Sequence, residues 1–177
     1  LTAICVLAGG WWSLLAPNAV ILFHLIYDNI TSPDVETRPV KHKGVLNFML
    51  YMHLPASLGL LFVIAWQAAP GDFMGFGAWF YELSSWNLLQ AHQEISLAQL
   101  LSGAFAVGFI LSTNTLVGHE LVHRTSHKLS MFVGRWLLAI VGDAQFSISH
   151  VYAHHLNVAT HKDAATARRG ESLYFFF

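Results

Sequence analysis

Three long apolar stretches set the pattern of the chain. They are "WWSLLAPNAVILFHLIYD" (11–28), "VLNFMLYMHLPASLGLLFVIAWQAA" (45–69) and "SLAQLLSGAFAVGFILSTNTLVG" (96–118). Each comes close to or exceeds the roughly 20 apolar residues that a bilayer crossing needs, so three spanning helices are predicted. The preceding "LTAICVLAGG" reads as the tail of another helix or as part of a long first span. Pro17 would kink that first span, which membrane helices tolerate better than soluble ones. In the third, Ser102, Gly103, Ala106 and Gly108 predict close helix packing. A fourth stretch, 135–149, is too short to span and carries Asp143 and Gln145. It is predicted as a short or re-entrant helix packed against protein. No internal repeat or low-complexity run is present, and "TSPDVETRPVKHKG" (31–44) reads as a surface connection. The predicted fold is all-α, a polytopic transmembrane helical bundle forming one membrane-embedded domain over 1–177.

Composition sharpens this picture. Hydrophobic residues make up 55% and charged residues 11% of the 177, against a usual charged share of roughly 25%. A net charge of −1 gives no reason to expect nucleic acid as a partner. The single cysteine, Cys5, excludes a disulfide scaffold. Leu1 opens the chain with no basic segment before an apolar run, so no signal peptide is read. The chain closes on the apolar "LYFFF" (173–177) with no turn signal, and both ends read as cut.

The positive charges then orient the spans. Arg38, Lys41 and Lys43 follow the first span, while Arg124, Lys128, Arg135, Lys162, Arg168 and Arg169 follow the third. Residues 70–95 carry none, and hold Asp72, Glu82 and Glu94 instead. Two spans separate the basic regions, so they share one side of the membrane. The positive-inside rule makes that side cytoplasmic and 70–95 external.

Candidate chemistry lies in two histidine boxes, "GHELVHR" (118–124) and "SHVYAHHLNVAT" (149–160). On an α-helix, residues four apart share a face. His119 with His123, and His150 with His154, are therefore each spaced to chelate one metal. His155 lies about 100° further round and would address a second ion. His119 falls where the third span leaves the bilayer core on the basic side, so five imidazoles are expected to converge at the cytoplasmic boundary. His24, His53 and His92 read as single, hydrogen-bonded structural residues. His42, His127 and His161 sit among charges and read as solvated, with the last two close to the boxes.

The metal stays open at this point. HExxH is also the zinc-protease motif, with Glu120 as general base and one further ligand. The intramembrane members of that class usually add a later Asp-containing ligand motif, and neither Asp143 nor Asp163 sits in such a context. An excess of imidazoles without thiolates suits iron, and two ions better than one. Glu120 would then stand outside the ligand set, beside it. A third reading, a bis-histidine haem anchor, would have to recruit His24 and His53.

"HELVHR", "HVYAHH" and "VATHKDAATARRGES" together resemble the integral-membrane alkane and xylene monooxygenases. These belong to the histidine-box superfamily of membrane fatty-acid desaturases and hydroxylases. The similarity is strong over about 110–173 and weaker through "LIYDNITSPDVE" (25–36) and "MHLPASLG" (52–59). The resemblance implies a non-haem di-iron site that uses O₂ and two electrons to hydroxylate an unactivated C–H bond. It also implies a rubredoxin or ferredoxin-type electron donor and a hydrophobic substrate, alkanes ahead of alkyl aromatics or fatty acyl chains. Carried over by position, the ligands are His119, His123, His150, His154 and His155. Arg124 stands where alkane hydroxylases commonly have Lys, Ser149 where a Glu is often found, and Ala153 in place of a Gly. The family's third histidine box does not occur within the 177 residues. A lipid-dissolved substrate reaching the metals between spans would pass Phe105, Phe109, Leu111 and Leu116, or else these side chains face lipid or a neighbouring helix.

Overall fold

The computed structural model describes residues 1–31 and 41–176. Most of the predicted connection 31–44, with Arg38, lies outside the described residues, as does Phe177. Among the described residues the chain is helical and contains no strand. Its contacts form two compact units, Leu1–Thr113 and Asn114–Phe177.

The first unit holds α1 (Thr2–Leu7), a 3₁₀ turn at Gly10–Leu14, α2 (Leu15–Ile30), α3 (Lys43–Ala68), α4 (Phe76–Ser84), α5 (Leu88–Gln93) and α6 (Leu97–Leu111). Three helical runs are long and apolar enough to cross a membrane: Gly10–Ile30, Lys43–Ala68 and Leu97–Val122. They match the three predicted spans within a few residues at each end. Leu22, Phe23, Leu25 and Ile26 of α2 stand exposed, as do Val45, Phe48 and Met49 of α3. Apolar surface of that extent fits hydrocarbon, not water. The chain is an integral membrane protein.

Packing in this unit is tightest around α1. Val6, Trp66, Leu88, Ala106 and Val107 are buried together with the polar Gln67. Gln67 is satisfied on both sides: its Nε2 donates to the Val6 carbonyl at 2.8 Å, and its Oε1 lies 3.2 Å from His92 Nδ1. His92 also packs on Trp66, ring centroids 4.7 Å apart. This is the structural role predicted for it, since a buried polar group needs its partners. His24 likewise bonds its own turn, at the Val20 carbonyl.

Residues 70–95, the connection predicted to be external, contain α4 and α5. Side-chain caps explain why. The Asp72 carboxylate accepts from the amides of Gly77 and Ala78 and from Trp66 Nε1, and Asn87 accepts from Gln90 N. Ser96 and Gln99 form a reciprocal capping box that starts α6. Asp72 has its carboxyl held below the usual range. Burial opposes this, and the Gly77, Ala78 and Trp66 donors outweigh it.

The second unit begins with α7 (Asn114–Val122), followed by α8 (Lys128–Ile140), α9 (Phe146–Ser149), a π-helical turn at His150–His154, α10 (His155–Asn157) and α11 (Leu173–Phe176). Just before it, the hydroxyls of Ser112 and Thr113 donate back to the carbonyls of Phe109 and Ile110. Such back-bonding competes with the helix ladder where α6 ends. The short helix predicted at 135–149 is displaced: α8 starts at Lys128 and stops at Ile140. His127 Nδ1 accepts from Ser130 N and so caps its start, and Gly142, at φ 83°, follows its end. Residues 146–149 belong instead to the helix that carries the second box.

The α7/α8 crossing depends on two glycines. A Cβ on Gly118 would stand 2.8 Å from Leu138 and 3.1 Å from the Gly134 carbonyl oxygen, and one on Gly134 would stand 3.0 Å from the Gly118 oxygen. The backbones touch because neither residue has a side chain. Around that contact Leu121, Val122, Val133, Leu137 and Leu138 are buried.

Candidate metal centre

α7 carries His119, and His123 follows its last residue one turn on, with ring centroids 4.7 Å apart. His150 meets both edge-on, at 4.3 Å from His119 and 5.2 Å from His123. One ligand nitrogen from each of these three lies within 4.8 Å of the other two. His155 packs on His123 at 4.8 Å and on His150 at 4.5 Å, and His154 lies 5.2 Å from His150. All five predicted histidines are therefore brought into one cluster within the second unit.

The pairing inside the second box differs from the α-helical expectation. The turn at His150–His154 is π-helical, and the His155 amide donates to the His150 carbonyl. That i→i+5 bond admits an extra residue into the turn. His155 thus comes over His150, and their Nε2 atoms stand 3.0 Å apart. His154, expected to pair with His150, turns to Asp163, its Nδ1 2.8 Å from Oδ2.

Two residues that the sequence reading passed over shape the cluster. Phe146 stacks on His150 at 4.5 Å and meets the edge of His119 at 5.5 Å. Its position four residues before His150 was the available signal. Asp163, weighed only as a protease ligand, is buried and takes hydrogen bonds from His154, the Ala165 amide and the Thr166 hydroxyl. The Thr166 bond, with those from Ala165 and His154, holds its carboxyl below the usual range against the opposing effect of burial.

Glu120 faces elsewhere. Arg124 Nη2 donates to its Oε1 at 2.9 Å, an exposed pair one turn apart. His127 is used as the cap of α8 and His161 is exposed, so neither enters the cluster.

The donor set fits a transition metal. It consists of imidazoles with no thiolate, and such ligands suit iron, zinc, copper or nickel. Metal–imidazole bonds of about 2.0–2.1 Å to donors about 90° apart put their nitrogens about 3 Å from each other. The His150–His155 separation has that value. Burial, followed by the crowding of His119, His155, His123 and His154, pushes the His150 imidazole down to about 4. It is therefore neutral near neutral pH, with a lone pair to give.

A helical membrane protein with a cluster of imidazoles is the class defined here, and sequence comparison narrows it. The chain is 34% identical over 166 residues to alkane 1-monooxygenase of Pseudomonas putida, covering 94% of this chain and 35% of that protein. It is 35% identical over 94 residues to alkane 1-monooxygenase 1 of Alcanivorax borkumensis, covering 53% of this chain and 22% of that one. To the xylene/toluene monooxygenase hydroxylase component XylM of Pseudomonas putida it is 27% identical over 170 residues, 95% of this chain and 40% of that one. The matched stretches thus span from about a fifth to two fifths of these relatives' lengths. No family model matches the chain, and no solved structure matches it. The chain belongs to the alkane/xylene monooxygenase group.

Proposed function

We propose that the chain is the histidine-rich core of a membrane monooxygenase that hydroxylates an unactivated C–H bond of a hydrocarbon. The convergence of His119, His123, His150, His154 and His155 into one cluster carries the reading. The names of the relatives support an alkane substrate, with the terminal carbon as the point of attack, and an alkyl aromatic as the runner-up.

The cofactor in this reading is a pair of non-haem irons. His119, His123 and His150, whose ligand atoms lie within 4.8 Å of one another, would share one ion in this reading, and His155 and His154 extend the cluster from the same wide turn. When bound, the irons would supply the activation of O₂ with two electrons from a rubredoxin or ferredoxin-type donor. The chain's own contribution is positional. α7 and α8 lock at Gly118 and Gly134, which fixes the first box. Phe146 covers one flank of His119 and His150 with a ring that cannot ligate. Its apolar surface helps exclude water from a reactive oxidant.

The metal side of the membrane is read as cytoplasmic, because Arg124, Lys128, Arg135, Lys162, Arg168 and Arg169 all lie in the second unit. The engagement of Glu120 by Arg124 favours this reading over a zinc protease, whose base must be free to reach water. Metal analysis of the purified protein, with an assay of O₂-dependent alkane hydroxylation, tests it. Non-haem iron with hydroxylation is the expected result. One zinc per chain with peptide hydrolysis, or a Soret band, would replace it.

A further inference from the structure

The segment after the second box folds back on it through one carboxylate. Asp163 has a side chain only 3% exposed. Its Oδ1 accepts from the Ala165 amide at 3.0 Å, and its Oδ2 accepts from the Thr166 hydroxyl. Thr166 Oγ1 in turn accepts from the Ala159 amide at 3.1 Å, which ties down a backbone in the left-handed region, φ 64° at Ala159. Against the same Oδ2, at 2.8 Å, stands His154 Nδ1.

An ionised carboxylate can only accept, so the proton between Asp163 and His154 sits on Nδ1. A neutral imidazole with its proton on Nδ1 keeps a bare lone pair on Nε2. We propose that Asp163 is a positioning residue for His154: it selects the Nδ1–H tautomer and holds the ring, leaving Nε2 as the donor atom of a ring that packs against His150 and His155. This rests on the reading of His154 as a metal ligand. Carboxylates that hold a ligating histidine in this way orient it and raise its basicity.

The near-isosteric Asp163→Asn separates the possibilities. A carboxamide has one oxygen and one NH₂ end. Its NH₂ end cannot face Ala165, whose amide is a fixed donor. It must turn toward His154 and Thr166, where the hydroxyl can rotate to accept. His154 Nδ1 then becomes an acceptor, its proton moves to Nε2, and the ligand atom is blocked.

The test uses the full chain in detergent, metal-free and labelled with ¹⁵N-histidine. Long-range ¹H–¹⁵N correlation reads each tautomer, and His154→Gln assigns the signal. The same samples are titrated with Co(II). Expected are Nδ1–H at His154 in the parent, a shift to Nε2–H in Asp163→Asn, and a loss of about 10–100-fold in Co(II) affinity. Thr166→Val, which alters the same loop without touching His154, should keep Nδ1–H. Nε2–H in the parent, or Nδ1–H persisting in Asp163→Asn, overturns the proposal. So does a tautomer shift in Thr166→Val equal to that in Asp163→Asn, because the loop and not the carboxylate would then be responsible. A shift in Asp163→Asn with unchanged Co(II) affinity would leave Asp163's hold on His154 standing. It would remove His154 from the ligand set, and the reading of the site would fail instead.

Discussion

His150 and His155 face each other with their Nε2 atoms 3.0 Å apart, although five residues separate them in the chain. An ordinary α-turn would set His154 nearer that position. The π-turn over His150–His154 makes the exchange, and leaves His154 available to Asp163.

Metal retention should follow this arrangement. His119→Ala, His123→Ala, His150→Ala and His155→Ala should each sharply lower the metal content of the purified protein and abolish hydroxylation, since each deletes an imidazole from the cluster. His127→Ala is the matched control. It removes the cap of α8, at about 1 kcal/mol of stability, and should leave metal content unchanged. Metal analysis by mass spectrometry, run alongside thermal unfolding, reads both. A cluster variant with full metal content would remove that histidine from the site.

How far the sequence reached can be judged element by element. The spans were legible because the bilayer sets a length and a polarity, and "VLNFMLYMHLPASLGLLFVIAWQAA" meets both. The five histidines were legible as a set because two i,i+4 pairs, with His155 adjoining the second, survive small errors in helix boundaries. Their pairing was not, since nothing in "HVYAHH" announces that one turn will admit an extra residue. Asp163 was out of reach for another reason. Its contact with His154 depends on a folded-back segment at 159–166 fastened by Thr166 and by a left-handed Ala159. The caps at Asn87 and Ser96, three residues ahead of Gln90 and Gln99, were a readable signal that 70–95 is more than a loop.

Glu120 distinguishes metal–oxygen chemistry from proteolysis. It is exposed and paired with Arg124, a type of contact worth well under 1 kcal/mol. Glu120→Gln should therefore keep its metal and retain most hydroxylation activity. A protease base changed in the same way would lose essentially all turnover with metal still bound. Complete loss of hydroxylation at full metal occupancy would mean that Glu120 moves a proton in the reaction.

The glycine contact between α7 and α8 predicts an unusually sensitive surface. Gly118→Ala must push a methyl to within 3.1 Å of the Gly134 carbonyl oxygen and 2.8 Å of Leu138. Overpacking of that kind costs about 1–3 kcal/mol. Because α7 carries His119 and leads directly into His123, metal affinity should fall together with the melting temperature. Gly108→Ala, with nothing within 4 Å of the new methyl, should change neither. Equal melting temperatures for the two variants would refute the close crossing.

Orientation in the membrane is testable at Met74, which is 79% exposed between the second and third spans. In a Cys5→Ser background, Met74→Cys should react with an impermeant thiol reagent applied to intact cells. A cysteine at Lys162, itself exposed in the second unit, should react only after the cells are opened. The reverse pattern would invert the topology and place the histidine cluster outside.

Acid should loosen the first unit through Asp72. Its carboxylate accepts three hydrogen bonds, from Trp66 Nε1 at 3.0 Å, Gly77 N at 2.7 Å and Ala78 N at 2.9 Å. These hold the folded-state pKa below the 3.8 of an unperturbed Asp. The unfolded chain therefore binds a proton first as pH falls, and folding stability drops with it. The contribution should be complete above about pH 4 to 5 and disappear as pH falls from there through the lowered folded value. Asp72→Asn keeps the shape of the cap but cannot ionise. It should unfold at a lower temperature near neutral pH, because the three donors lose a charged acceptor and the NH₂ end cannot accept from a backbone amide. The gap between parent and variant should narrow on acidification, since the parent's own carboxylate is then being protonated. Thermal unfolding in detergent between pH 7 and pH 3 measures this. A gap that stayed constant across that range would show that the charge on Asp72 does not hold α4 to the end of α3.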